Sequence, residues 1–144
     1  MAISTMKVET SVRDKFKTEV KCSNPFVIDQ PVPMGGDNAG PNPLEVFLSS
    51  LGACICAIGK IISNQKRLNV KGIDVIVEGD IDKDFLMGKT TEGRSGFTEL
   101  RSFVTIDADM TSEEKENFVK EIASRCPVAD NIKFESNVVP SVKG

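Results

Sequence analysis

Residues 42–62 read NPLEVFLSSLGACICAIGKII, and the pattern of this stretch decides the architecture of the chain. Asn42 is a good helix N-cap, Pro43 suits the first helical position, and Glu45 stands three residues after the cap, where a capping box places its acid. From Leu44 onward, Leu44, Leu48, Leu51, Ile55, Ile58 and Ile62 recur at helical spacing. The opposite side is no more polar, because Val46, Phe47, Ala53, Cys54, Ala57 and Ile61 keep it apolar. A helix apolar on all sides has to be buried, here over about five turns, and one small domain can hardly enclose it. The pattern therefore predicts a central helix with a subunit interface along it. The longest apolar stretch, Val46 to Gly59 between Glu45 and Lys60, is about 14 residues, short for a membrane span.

Before this helix, residues 6–30 carry short alternating runs such as Lys7-Val8-Glu9 and Phe16-Lys17-Thr18-Glu19-Val20. Period-two alternation of that kind predicts half-buried strands in an antiparallel meander. Residues 31–43, PVPMGGDNAGPNP, are dense in Pro, Gly and Asn and read as a loop. Gly35 and Gly36 in it lack the Lys and Ser or Thr of a phosphate loop, so a turn is the better reading. After the helix, Lys60, Lys66 and Arg67 place cations where its dipole favours them. Val70 to Ile81 reads as a strand, Asp82 to Gly96 as a polar connection, and Phe97 to Asp107 as a second strand. Thr111 then caps another helix, with Glu114 at the capping-box position and Phe118, Val119 and Ile122 on its buried face. That helix stops near Arg125, because Pro127 disfavours helix in the residue before it. Ile132 to Val139 is expected to add a last strand. The order β-β-β, long helix, β-β, helix, β predicts an α+β fold of antiparallel sheets and a single domain, 1–144.

Composition narrows the function. A net charge of -3, with eight Phe but no Tyr and no Trp, argues against a nucleic acid or an anionic membrane surface as the main partner. The chain has no histidine, which removes Ser-His-Asp and Cys-His catalysis and His-ligated metals. Acid-base or nucleophilic work falls to Cys, Asp, Glu, Lys or Arg. Met1 to Thr10 lacks the basic-then-apolar pattern of a signal peptide, so the four cysteines are expected as thiols in a reducing compartment, the cytoplasm.

The cysteines differ in setting. Cys54 lies on the long helix among Ser50, Gly52 and Ala57, small groups that leave room for a substrate. Cys126 stands at a helix end before Pro127, where its thiol is expected near the surface. Cys56 is two positions beyond Cys54, roughly 200° around the helix, so these two cannot share a site. Cys22 sits in an edge segment with no evident partner. With a helical CxC spacing and no CxxC pair, a zinc site is a poor fit.

The run GGDNAGPNPLEVFLSSLGAC, residues 35–54, followed about 70 residues later by Cys126-Pro127-Val128, resembles the OsmC/Ohr (organic hydroperoxide resistance) superfamily. The resemblance covers nearly the whole chain. It implies an α+β fold in which two chains intertwine as a homodimer, long helices back to back and sheets wrapped around them. It also implies reduction of organic hydroperoxides without metal or organic cofactor. Cys54 would be the peroxidatic thiolate, Cys126 its resolving partner in an intramolecular disulfide, and an external dithiol the reductant.

That chemistry makes a demand. A thiol of pKa about 8.5 is only a few per cent ionised at neutral pH. Lowering it by about two units takes roughly 2.7 kcal/mol, while burial pushes the other way. A cation is needed, and without histidine it must be Arg or Lys. By resemblance Arg13 is the nearest match to the family's catalytic arginine, whereas Arg125 adjoins Cys126 and would act on that thiol instead. The best-characterised peroxidases of the family carry a Glu directly after the NP pair. Here Leu44 holds that position and Glu45 comes one step later, about 100° around the helix. Glu45 therefore stands both as a candidate site residue and as the acid of the capping box. The leading reading is a thiol peroxidase. Its rivals are a binding or sulfur-carrier protein using the same interface pocket, and a structural protein with inert cysteines.

Overall fold

The alternating runs at the N-terminus form three strands in the computed structural model, which describes residues 1–144: β1 (Glu9–Val12), β2 (Thr18–Lys21) and β3 (Phe26–Ile28). They pair as the antiparallel meander β1-β2-β3, with Glu9 opposite Lys21 and Thr18 opposite Ile28. Val20, on the central strand, is its buried apolar residue. This meander and the loop after it belong to one unit, Met1–Phe47, and residues Leu48–Gly144 form a second.

The Pro- and Gly-rich loop is more ordered than its composition predicts. Val32–Met34 make a single 3-10 turn, started by Pro31 at φ -67° and closed by Gly35 at φ 95°. The Asp29 carboxylate organises the loop. Its side chain is 1% exposed and accepts the backbone N–H groups of Gln30 (2.8 Å), Asp37 (3.2 Å) and Ala39 (3.0 Å). These bonds hold the carboxyl below its usual range, the Ala39 amide contributing most. A Cβ on Gly36 would lie 2.0 Å from the Gln30 carbonyl oxygen, so the loop closes over this carboxylate only with glycine there.

The long helix α1 (Pro43–Lys66) starts as its sequence requires. Asn42 Oδ1 accepts the Glu45 N–H at 2.9 Å and Glu45 Oε1 accepts the Asn42 N–H at 3.2 Å, which completes the capping box. At 24 residues α1 runs about seven turns rather than the expected five, and by length and composition alone it could cross a bilayer.

In the second unit, Leu51, Ile55 and Ile62 of α1 pack in one cluster with residues of β4 (Val70–Asp80), β5 (Glu99–Ala108) and α3 (Ser112–Arg125). Val70, Ile106, Phe118, Ile122 and Cys126 are its other buried members. The strands form an antiparallel hairpin from Val70 opposite Ala108 to Asp80 opposite Glu99, with an irregularity between Val70 and Gly72. At the hairpin's far end Arg101 bonds Glu78, Asp80 and Glu99 together. Gly59 is fixed by contact, since a Cβ there would lie 2.4 Å from Ile73 Cδ1 and 3.1 Å from Ile122 Cδ1. The polar connection contains one helical turn, α2 (Lys83–Leu86), capped by Asp82. Thr111 caps α3 by accepting the Glu114 N–H at 3.2 Å.

The C-terminus departs from expectation. Instead of a strand over 132–139, the chain forms α4 (Pro127–Lys133) and then runs on without regular structure. Pro127, which ends α3, also supplies the first residue of α4, where a missing N–H costs nothing.

The Asp29 arrangement predicts a pH-dependent loop. A folded-state pKa below the unfolded value contributes stability that is present above about pH 4 and lost as pH falls through the folded value. Asp29→Asn is expected to lower the thermal midpoint by several degrees at neutral pH, because an amide cannot accept on both sides. That deficit should close as the pH is lowered beneath 4. A deficit constant from pH 7 to pH 3 in calorimetry would refute the role assigned to the charge.

Candidate active site

Two thiols 72 residues apart in sequence meet in the second unit. The sulfurs of Cys54 and Cys126 lie 2.9 Å apart, close enough to share an S–H···S hydrogen bond, and both cysteines are free. The helices that carry them explain the meeting. Gly59 lets α1 approach Ile122 of α3, and Cys126 follows Ile122 by four residues, one helical turn.

Cys126 serves both helices it separates. It ends α3 and is the N-cap of α4, its sulfur accepting the Ala129 N–H at 3.5 Å. Contrary to the expectation of a thiol near the surface, Cys126 is only 1% exposed, because capping α4 turns the side chain inward. Cys54 is half-buried. Cys54 is therefore the more exposed residue of the pair.

The surroundings set the acidity of Cys54. Burial pushes its thiol up, the hydrogen bond with Cys126 pushes it further the same way, and the backbone amide of Val128 pulls it down. The net direction is upward. Val128 belongs to the first turn of α4, a helix that the sequence pattern alone does not predict. The signal for it is Pro127, which marks a helix start as well as a stop.

The other expected residues are engaged locally. Arg13 and Glu45 belong to the Met1–Phe47 unit. Arg13 is exposed just after β1, donates from Nη1 to the Val12 carbonyl at 3.2 Å, and lines a polar cleft of about 320 Å³ with Asp14, Lys17 and Glu19. Glu45 is used by the capping box. Arg125, next to Cys126 in sequence, turns instead to Glu121, which also pairs with Lys66. Cys56 points elsewhere than Cys54, as its spacing predicts, toward the Ile73 carbonyl at 3.7 Å. Cys22 faces the Asn24 carbonyl at 3.2 Å in the turn after β2.

A half-buried and a buried thiol thus meet between a long helix and a helix junction in an antiparallel α+β fold. Residues 35–141 match the family model of OsmC-like proteins, and the chain belongs to that family. It is 26% identical over 98 residues to a hydroperoxide reductase of Mycoplasma genitalium, a match covering 68% of this chain and 66%, just under two thirds, of that relative. Its fold is shared with an OsmC-like protein of Mycoplasma pneumoniae (TM-score 0.77, 18% identity, 90% of this chain and 88% of that one). It is shared too with an organic hydroperoxide resistance protein of Legionella pneumophila (TM-score 0.64, 18% identity, 92% of each chain).

The sulfur geometry predicts a disulfide without rearrangement of the fold. A bond of about 2.05 Å needs the sulfurs to close by about 0.9 Å. One equivalent of an oxidant such as diamide should remove two hydrogens from the intact mass. Peptide mapping should place the bridge between Cys54 and Cys126, with Cys22 and Cys56 still alkylatable. A bridge involving Cys22 or Cys56 instead would overturn the pairing.

Proposed function

We propose that this protein is a thiol-dependent peroxidase that reduces organic hydroperoxides, with Cys54 as the attacking sulfur and Cys126 as the resolving one. The observation that carries the reading is the 2.9 Å approach of the two sulfurs, one half-buried and one buried. Family membership and the relative named hydroperoxide reductase support the reaction class.

The steps balance with these two thiols and an external dithiol. The Cys54 thiolate attacks the distal peroxide oxygen, the O–O bond breaks, and the alkoxide takes up a proton and leaves as an alcohol. Cys54 becomes a sulfenic acid. The Cys126 sulfur attacks the sulfenic sulfur, a disulfide forms, and water leaves with the thiol proton. A dithiol then reduces the bridge by two exchanges, becoming a disulfide itself. The attack order follows exposure, because a peroxide reaches Cys54 before Cys126. Neither metal nor organic cofactor enters, and a reducing compartment such as the cytoplasm keeps the resting thiols free.

This reading needs a cation at Cys54, since burial and the second thiol both raise its pKa. Arg13 is the residue we assign to it, in an assembled homodimer. The exposed apolar side of α1, with Ala53, Ala57 and Ile61, supports a second copy as partner. The second reading is a binding or sulfur-carrier protein. The upward direction of the Cys54 pKa and Leu44 in the place of the family's acid favour it.

The dimer is tested by Ala57→Glu, which puts a charge on that face and should convert a dimer to a monomer in sedimentation. A dimer unchanged by this substitution would remove α1 from the interface.

Turnover decides between the two readings. Wild type, Cys54→Ser and Cys126→Ser are supplied with cumene hydroperoxide or hydrogen peroxide and dithiothreitol. The peroxidase reading expects consumption of the organic peroxide, lost in Cys54→Ser, with Cys54 alkylation inflecting near or below pH 7 and moving upward in Arg13→Ala. Negligible wild-type turnover with an inflection above about 8.5 would establish the carrier reading instead.

A further inference from the structure

Between α1, β5, α3 and α4 the second unit has a cavity of about 290 Å³ that the peroxidase chemistry does not use. Its floor is apolar: Leu51 and Ile55 of α1, Val104 of β5, and Val119 and Ile122 of α3. Ala129 and Ile132 of α4 form one end, with Lys133 at the mouth. Ser102, Val104 and Val119 also line an adjoining hollow of about 430 Å³, so the two make one groove beside the unpaired edge of β5. The second hollow is bordered by Lys115, Lys120 and Glu116.

The charge at the rim selects the occupant. Lys115, Lys120 and Lys133 stand against the single carboxylate of Glu116, and none of the three is held in an ion pair within the chain, whereas neighbouring Lys66 and Arg125 are tied to Glu121. The groove therefore offers apolar walls to a chain and unneutralised ammonium groups to its head. Two of the protein's own exposed apolar segments, the outer face of α1 and the C-terminal residues, lack the matching charge. Ala53, Ala57 and Ile61 of α1 bring no acid, and residues 134–144 set Glu135 against Lys143.

We infer that this groove is a binding site for a single-chain anionic amphiphile of the alkyl carboxylate class. The alkyl chain lies on Val104, Val119 and Ile122, and the carboxylate meets Lys120 or Lys133. Each methylene covered gains about 0.8 kcal/mol, and the rim lysines distinguish an anion from a neutral or cationic head of equal chain length. The site is separate from the reacting sulfurs yet adjoins them, because Ala129 lines the groove and donates its N–H to Cys126. It stands whether or not the thiols reduce peroxides.

The test is a methyl and amide NMR titration of the full-length protein with decanoate, decanol and decyltrimethylammonium. Saturable decanoate binding is expected, with shifts at Val104, Val119, Ile122 and the Ala129 amide, and weaker binding of the other two probes. Lys120→Glu/Lys133→Glu should weaken decanoate by about fivefold to tenfold and improve the ammonium probe. Ala123 also lines the cavity, so Ala123→Trp should fill it and abolish binding, while Cys54→Ser should bind decanoate as wild type does. Equal affinity for the three probes would overturn the inference, as would shifts confined to Ala53, Ala57 and Ile61. So would groove signals that respond to protein concentration but not to decanoate, which would give the groove to a second copy.

Discussion

The close approach of α1 to its neighbours at Gly59 is the constraint on which the second unit depends. With no side chain there, Ile73 of β4 and Ile122 of α3 both reach the helix backbone, and a methyl group would collide with Ile73 and crowd Ile122. That contact fixes the separation of α1 from the hairpin and from α3 at once. Ile55, one turn before Gly59, and Cys126, one turn after Ile122, then fall in the same buried cluster. The sulfur contact is a consequence of this packing and needs no strained loop to create it. A helix junction at Cys126 does the rest, since the cap of α4 turns that thiol inward rather than toward solvent.

Much of this is legible in the sequence because its signals are local. Asn42, Pro43 and Glu45 announce the start of α1, and Thr111 the start of α3, through hydrogen bonds spanning three residues. The meander and the hairpin follow from alternation. Asp29 gives no such signal, because the amides it binds lie up to ten residues away and no periodicity marks such a contact. Pro127 signals the end of one helix and equally the beginning of the next, and only the first meaning is evident from its neighbours. The strand expected over 132–139 fails for that reason, its first residues being taken into α4. Of the candidate site residues, Cys54 and Cys126 come together, whereas Glu45 does what its capping position alone would dictate.

Electrostatics is where the chemistry of this site is decided. Removing a thiol from water favours its neutral form, and a second thiol within hydrogen-bond distance favours it further. One backbone amide, that of Val128, opposes both and does not reverse the direction. No cation figures among the groups that set the Cys54 thiol, and Arg125 and Lys66 pair with Glu121. A reactive Cys54 would need a cation that these neighbours do not supply.

The same reasoning separates proximity from reactivity. A short sulfur–sulfur distance ensures rapid resolution once a sulfenic acid exists, but it contributes nothing to forming one and slightly opposes it by holding the proton between the thiols. A pair this close is thus well suited to the second step of a peroxidase cycle and poorly suited, unaided, to the first. Evolution of activity on this framework would act on the source of positive charge while leaving the Gly59 crossing and the Cys126 cap untouched. The departure at Leu44 lies outside the buried cluster that brings the sulfurs together. The packing brings the two sulfurs to 2.9 Å, and on the peroxidase reading a charge placed against Cys54 would determine whether a peroxide ever draws on that pair.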